Sequence, residues 1–503
     1  MNFSSLARKR DSYPNPKPIR IGLVTTIGTN IGDDFIREGI VSVVQQLLSR
    51  NRFECVLVNK HRPHTVYHRW HPIRLCYDND FHARLHLGPL RRMVERRLPP
   101  FGLSRFDLCD MIIQCGTPIV WEGCRNSEWA RLIWKDVLAR LSRGGTPVLN
   151  VGGGSCYAWE RQPTTLVGQA DEAFIRLMLD AASLTTVRDD LSMQLFGTLG
   201  YRAQLISCPA ILAGQLFATS AEPRRKVLIN YMSGGGHYDW GQGIDVSLWE
   251  ATMSSLLTYL RQDGWEVLLL AHSESEVAEY ARLWPELPRC FPATAQEYFQ
   301  TIRDAAFGIF NRMHASVAAA GLGIPSVAIG TDTRNMMVTT LGLPAFYVED
   351  AKVDNLVAVV SEMVTNRSAQ SKKLLRLRDS TLETYKQIFG PFVAAALARA
   401  GSRGALDGIT RWRPRWPEAV EESTLVAELE DRNAELQRIC DERLATIKGL
   451  KITCDDRLEV IEGLKRACDE QLKAIASLER TCEEHLALIG RLHRTRDSAG
   501  GLV

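Results

Sequence analysis

The chain has 503 residues, 45% hydrophobic and 24% charged, with a formal net charge of +3. That leaves room for two or three domains with sizeable cores, and the near-balanced charge gives no reason to expect a nucleic-acid partner. No apolar run approaches the ~20 residues that span a bilayer. The first 18 residues lack the apolar centre of a secretory signal, and the 12 cysteines show no CxxC pair or compact disulfide spacing, which reads as reduced thiols in a cytoplasmic protein.

Residues 1–18 read as a flexible polar arm. An apolar strand at 19–26 enters Ile27-Gly28-Thr29-Asn30-Ile31-Gly32-Asp33-Asp34 and a helix ending near Arg50. Gly28 and Gly32 allow close backbone approach, and Asn30 or Asp33 is the candidate helix cap. The loop is neither a GxGxxG fingerprint nor a Walker A motif, so no nucleotide follows from it. A strand at 53–59 leads into an irregular region reaching about residue 106, which carries His61, His64, His68, His71, His82 and His86. No Asp, Glu or Cys stands at a ligand spacing from them, so no metal is expected. The region reads as an insertion over a cleft, involved in acceptor recognition. Its basic stretch at 91–105 reads as a solvated loop.

Strands at 110–114 and 147–151 enter Cys115-Gly116-Thr117-Pro118 and Gly152-Gly153-Gly154-Ser155, with a helix over 127–141 between them. Three glycines after a strand either cradle an anion through backbone N–H groups or simply turn. A helix at 166–180, a strand at 184–187, Arg188-Asp189-Asp190-Leu191-Ser192 and a strand at 204–207 complete one unit. Beyond the loop-like stretch 218–225, a strand at 227–231 opens a second, with Ser233-Gly234-Gly235-Gly236-His237 as its glycine loop. The helix 246–262, the strand 266–270 and the turn Ala271-His272-Ser273-Glu274 follow.

The second unit then reaches FGIFNRMHASVAAAGLGIP at 307–325. Here 307–310 has buried-strand character, Asn311 offers a helix cap, and 313–321 forms a tightly packed helix. Arg312 and His314 therefore fall at a strand's carboxyl end and in a helix's first turn, where an open α/β sheet binds ligands and N–H groups attract anions. Arg312 brings a forked cation, and His314 a proton near neutral pH; an ion pair and a helix cap are their structural alternatives. Helical patterns at 354–365 and 370–400 close this part. The alternation predicts an α/β fold of two Rossmann-like, doubly wound domains, 19–217 and 226–400, with a small-molecule cleft between them.

Asn30-Ile31-Gly32-Asp33-Asp34, Asp110-Met111-Ile112-Ile113, Val187-Arg188-Asp189-Asp190-Leu191-Ser192, and Arg312-Met313-His314 with Gly323-Ile324-Pro325 resemble, in order and spacing, the polysaccharide pyruvyl transferase family across roughly residues 19–350. The resemblance implies a GT-B-like arrangement of the two domains. It implies transfer of a pyruvyl group from phosphoenolpyruvate, the donor substrate, to hydroxyls of a sugar or glycolipid acceptor, forming a ketal. No further cofactor is implied. On this reading Arg188 and Arg312 hold the donor's phosphate and carboxylate, His314 is the general acid, and Asp33 orients or deprotonates the acceptor hydroxyl, unless it only caps the helix. Asn30 with the loop glycines Gly32, Gly116, Gly153 and Gly235 are the candidate substrate contacts. The chain departs from the family pattern at Cys115-Gly116-Thr117, often a double or triple glycine, and at Cys208-Pro209, often Asp-Pro. A GT-B glycosyltransferase using a nucleotide sugar and a non-catalytic scaffold of the same fold are the alternative readings.

Residues 401–422 read as a linker and 423–494 as a coiled coil. Cys440, Cys454, Cys468 and Cys482 recur every 14 residues, two heptads. With Leu458 and Leu472 at position a, Ile461, Cys468, Ile475 and Cys482 fall at d. Lys465 and Glu479 take alternate a positions, with Leu464 and Leu478 at g. The 3.5-residue apolar spacing predicts a left-handed coiled-coil helix, hence a homo-oligomer or a helical partner.

Overall fold

The structure, a computed structural model, describes residues 18–74 and 104–406 except 29, 49–51, 69, 70, 72, 128, 167, 218–221 and 239, together with 463–491 except 464 and 467. Residues 1–17 of the arm, His82, His86, residues 91–103 of the basic stretch, 407–422 of the linker, and Cys440, Cys454, Leu458, Ile461 and Leu464 lie outside the described residues. The chain divides into two units, Met1–Ile409 and Thr410–Val503.

The first unit contains two parallel sheets. One is built from β1 (Ile19–Thr25), β2 (Phe53–Asn59), β3 (Met111–Cys115), β4 (Pro118–Val120), β5 (Val148–Ser155), β6 (Leu184–Val187) and β7 (Gln204–Leu205), ordered β2-β1-β3-β5-β6-β7 with β4 beside β5. Its helices are α1 (Ile31–Leu47), α2 (Ala130–Leu138, wound as a π-helix and continuing as Ala139–Arg143), α3 (Gln169–Ala181) and α4 (Asp190–Thr198). The other sheet comprises β8 (Lys226–Asn230), β9 (Glu266–Leu270), β10 (Arg289–Cys290), β11 (Phe307–Phe310), β12 (Ser326–Gly330) and β13 (Ala345–Tyr347), ordered β10-β9-β8-β11-β12-β13. With it go α5 (Val246–Gln262), α6 (Glu274–Leu283), α7 (Ala295–Ile302), α8 (Met313–Gly321), α9 (Val353–Thr365) and α10 (Arg367–Leu406). β3, β5, β8, β11 and β12 are buried along their whole length, which is why they read as continuous apolar runs.

Both sheets are doubly wound. The strand order reverses between β1 and β3 in one and between β8 and β11 in the other, and ligand crevices open at such points. The carboxyl ends of these four strands meet in one cleft, the GT-B-like arrangement. One apolar core runs between the sheets: Phe35 and Ile40 of α1, Phe299 of α7, Ala318 and Ala319 of α8, and Tyr385 and Phe389 of α10 belong to a single cluster. Gly39 and Gly321 make that possible, because a Cβ on either would run into the carbonyl of Pro209 or Ile211. α10 crosses back to the first sheet, where Tyr385 donates its hydroxyl to the Ser207 carbonyl at 3.1 Å.

Two stretches differ from the sequence reading. The Gly152-Gly153-Gly154 run is not a loop after a strand but the end of β5, paired with β4 and β6. Side chains are missing there because neighbours fill the space: Ile119 of β4 lies against Gly153, and the Arg188 guanidinium against Gly154. The expected linker start at 401 is still helix, since α10 continues to Leu406 with Pro391 inside it. In the second unit, the described residues of 463–491 are helical, and Cys468, Leu472, Ile475 and Cys482, expected at a and d positions, are exposed. No helix among the described residues is long and apolar enough to cross a membrane.

Candidate active site

A cavity of about 640 Å³ occupies the cleft where the two switch points meet. From the first sheet it is lined by Asn30, Asp33, Lys60, His61, Pro118 and Arg188. Asn30 caps α1, accepting from the Gly32 N–H at 3.1 Å, so the choice between Asn30 and Asp33 falls to Asn30. Asp33 then lies buried in the first helical turn, facing the cavity, and takes a 3.5 Å contact from Asn30 Nδ2. Lys60 follows β2 directly, its N–H bonded to the Thr25 carbonyl at 2.8 Å, which sets it beside the end of β1. Pro118 follows Thr117, a buried β-branched residue held at φ 72° and therefore strained beside the cavity.

Arg188 leaves the end of β6 and is 1% exposed. Its Nη1 donates to His314 Nε2 at 3.2 Å and approaches Cys208 Sγ at 3.8 Å, while Nη2 has no partner. The adjacent Asp189 does not neutralise it, because that carboxylate accepts the Ser192 and Ser155 N–H groups at 2.7 and 2.8 Å. Arg188 thus reaches the cavity as a buried cation with no ion pair among the described residues.

From the second sheet come His237, His272, Glu276, Arg312, His314 and Arg334. Asn311 is not the cap of α8: its side chain accepts the Met232 N–H at 2.8 Å and donates to the Gly235 and Ile329 carbonyls at 2.9 and 3.0 Å. Arg312 is the cap residue, without a side-chain capping bond. Its guanidinium is ion-paired with Glu276, through Nε at 2.9 Å and Nη2 at 2.6 Å, and Nη1 donates to His237 Nδ1 at 2.9 Å. Arg334 is likewise closed on Asp332, at 2.8 and 2.6 Å, and stacks on Tyr238 with 4.4 Å to the ring centroid.

His314 lines the cavity and stands against α1 so closely that a Cβ on Gly32 would overlap its ring. Arg188 can only donate, so Nε2 accepts and the proton of the neutral ring sits on Nδ1. Burial, then Arg188 beside it, holds His314 well below the ordinary imidazole range. Burial followed by Arg312 likewise lowers His237 to about 4 and His272 to about 3. The expected proton donor is therefore neutral at pH 7 before any anion enters.

The model of the polysaccharide pyruvyl transferase family matches residues 30–333, more than half of the chain. The chain belongs to this family. No curated protein matches it significantly. Among solved structures it is similar to a UDP-GlcNAc 2-epimerase from Neisseria meningitidis bound to UDP-GlcNAc, at 10% identity over 75% of this chain and 100% of that one, with a TM-score of 0.43. A UDP-GlcNAc 2-epimerase from Methanocaldococcus jannaschii gives 9% identity over 72% and 98%, TM-score 0.39. An E. coli heptosyltransferase with ADP gives 14% over 68% and 99%, TM-score 0.36.

Of the residues that the resemblance to the pyruvyl transferases suggested, the cavity brings together Asn30, Asp33, Arg188, Arg312 and His314. Gly32 touches it through His314. Gly116, Gly153 and Gly235 do not line it: a side chain on them would meet Ile36, Ile119 and Val348 respectively, so they serve packing, and Gly116 and Gly235 also supply positive φ. Gly234 and Gly236 line it instead of Gly235. Sequence reasoning missed Lys60, Glu276 and Arg334. The available signal was position alone, since Lys60 and Arg334 each follow shortly after a strand on the cleft side.

Of the histidine-rich region, His61 lines the cavity, whereas His71 is buried, stacked on Tyr67 at 4.2 Å. Burial also raises the thiols of Cys115 and Cys156, leaving neither a ready nucleophile.

Proposed function

We propose that this family member transfers a pyruvyl group from phosphoenolpyruvate to hydroxyls of a sugar in a surface polysaccharide or its precursor, forming a pyruvate ketal in the cytoplasm. The observation that carries the reading is the meeting of Arg188 and His314 across the domain boundary, a buried cation with a free donor against a neutral imidazole. The donor is a dense anion, and converging N–H donors favour it. The cavity volume is that of an ordinary small-molecule site, with room for a sugar beside a three-carbon donor.

In this mechanism the donor's charge draws Arg188 away from Nε2, and the same negative charge raises the His314 pKa so that the ring takes up a proton. His314 gives that proton to the methylene carbon. The acceptor hydroxyl oxygen bonds to the adjacent carbon as the enol π pair moves to form the methyl group, and Asp33 takes the hydroxyl proton. Phosphate leaves with the electron pair of its C–O bond, and a second sugar hydroxyl oxygen bonds to the same carbon to close the ketal, its proton passing to the departing phosphate. Arg312, already paired with Glu276, contributes through Nη1 and by shaping the wall.

The test incubates the protein with phosphoenolpyruvate and a panel of sugar acceptors, following phosphate release and the mass of the sugar. Acceptor-dependent phosphate release with a ketal product supports the proposal. Thermal stabilisation by a nucleotide sugar, with no effect of phosphoenolpyruvate, overturns it in favour of glycosyl transfer. No response to either donor favours a scaffold.

A further inference from the structure

Four cationic side chains line the cavity, and their charges are not equally available. Arg312 is neutralised by Glu276 and Arg334 by Asp332, in both cases through two guanidinium nitrogens. A donor anion that took over the paired nitrogens of either would break an ion pair and leave a buried carboxylate facing its own charge, which is unfavourable. Arg188 has no carboxylate partner among the described residues, and its Nη2 is unpartnered although the residue is 1% exposed. Lys60 is the remaining cation. Among the described residues its ammonium makes no ion pair or hydrogen bond.

Burial is the main influence on Lys60 and disfavours its ammonium. Asp33 attracts the charge while Arg188 and Arg334 repel it, and the pKa is lowered. Keeping two unpaired cations at one cavity wall is unfavourable in the empty protein. A ligand with two or more negative charges would reverse the sign of that interaction. The geometry therefore favours an anion subsite on the β1–β2–β6 side of the cleft, at the start of α1, rather than at the start of α8.

We propose that Lys60 is the second cation of the donor subsite, its ammonium and Arg188 Nη2 together receiving the charged end of the donor. The inference rests on the reading of the cavity as the phosphoenolpyruvate site. It places Arg312 as a positioning residue that holds Glu276 and His237, and it leaves the loop carrying Gly234, His237 and Tyr238 to face the acceptor.

The test is calorimetric titration of the full chain with phosphoenolpyruvate and, separately, inorganic phosphate, for wild type, Lys60→Met and Lys60→Arg. Loss of one charge-assisted contact predicts roughly 10- to 100-fold weaker phosphoenolpyruvate binding in Lys60→Met, with Lys60→Arg within a few fold of wild type. The unliganded melting temperature of Lys60→Met should equal or exceed that of wild type, since the change removes an unpaired, half-buried charge; a merely structural lysine would lower it.

If wild type binds phosphoenolpyruvate and Lys60→Met binds it within about 2-fold, the role of Lys60 is overturned while the pyruvyl-transfer reading stands. If wild type binds phosphate but not phosphoenolpyruvate, and Lys60→Met loses the phosphate, the cation pair is supported and the donor assignment falls. Binding of neither anion by wild type overturns both.

Discussion

His314 owes its chemistry to its neighbours. Gly32 gives it room, Arg188 fixes its tautomer, and burial keeps it neutral. In the proposed mechanism this neutral imidazole becomes an acid only when the donor arrives, which makes a kinetic prediction. His314→Ala should lower phosphoenolpyruvate-dependent transfer by about 100- to 10,000-fold, as expected for loss of a general acid. In the wild-type protein, the alkaline limb of kcat should lie at higher pH than that of kcat/KM, because the bound donor raises the pKa that the free protein holds down. Coincident limbs would remove the proposed coupling.

His272 gives a stability counterpart. Its folded pKa of about 3 lies below the value near 6.5 of an unfolded chain, so the native state holds fewer protons and the stability it contributes is complete above about pH 6.5. That contribution is lost as pH falls from there toward 3. Urea unfolding free energies should fall between pH 7.5 and 5, with at most about 1.4 kcal/mol per pH unit from this one group. The slope should be shallower in His272→Gln.

The neighbouring residue Asn311 shows where local reading stops. An Asn before a helix reads as a cap, yet the β8 loop and β12, distant in sequence, claim its amide.

Among the elements, the close packing of α1 and α8 on the Pro209–Leu212 turn decides how the two halves of the cavity meet. Gly321→Ala would drive a methyl group into the Ile211 carbonyl. The expected cost is about 1–3 kcal/mol of stability by denaturant unfolding, with reduced transfer activity as His314 shifts with its helix. A variant as stable as wild type would show that the contact relaxes freely.

The strands and helices themselves were largely legible. The patterns at 53–59, 184–187, 246–262, 266–270, 307–310 and 313–321 coincide with β2, β6, α5, β9, β11 and α8, because each has the apolar period of a fully or half-buried element. The glycine run in β5 was not. Three glycines look like a turn in one dimension, and only the adjacent Ile119 and Arg188 reveal a strand stripped of side chains to admit them.

At the scale of the whole molecule, a single apolar core links both sheets and α10, so the two doubly wound halves of Met1–Ile409 should not unfold separately. Calorimetry of a chain ending at Glu422 should give one transition; two resolved transitions would contradict the shared core. The exposed a and d residues between 468 and 482 carry the remaining expectation, that the heptads mediate self-association. Light scattering should find the full chain oligomeric and the chain ending at Glu422 monomeric, with equal masses per subunit count sinking the idea.

The sequence alone determined the alternation of strands and helices, the family, and the placing of Arg188 at a strand end and of His314 in the first turn of a helix, because periodicity, turn chemistry and short motifs are local properties. Which charges remain available was decided only by the tertiary structure. The Arg312–Glu276 pair joins residues 36 positions apart, and the Arg188–His314 contact joins residues 126 apart. No local pattern records which cation has a partner, since ion pairing depends on distances that exist only once both sheets have closed on one another.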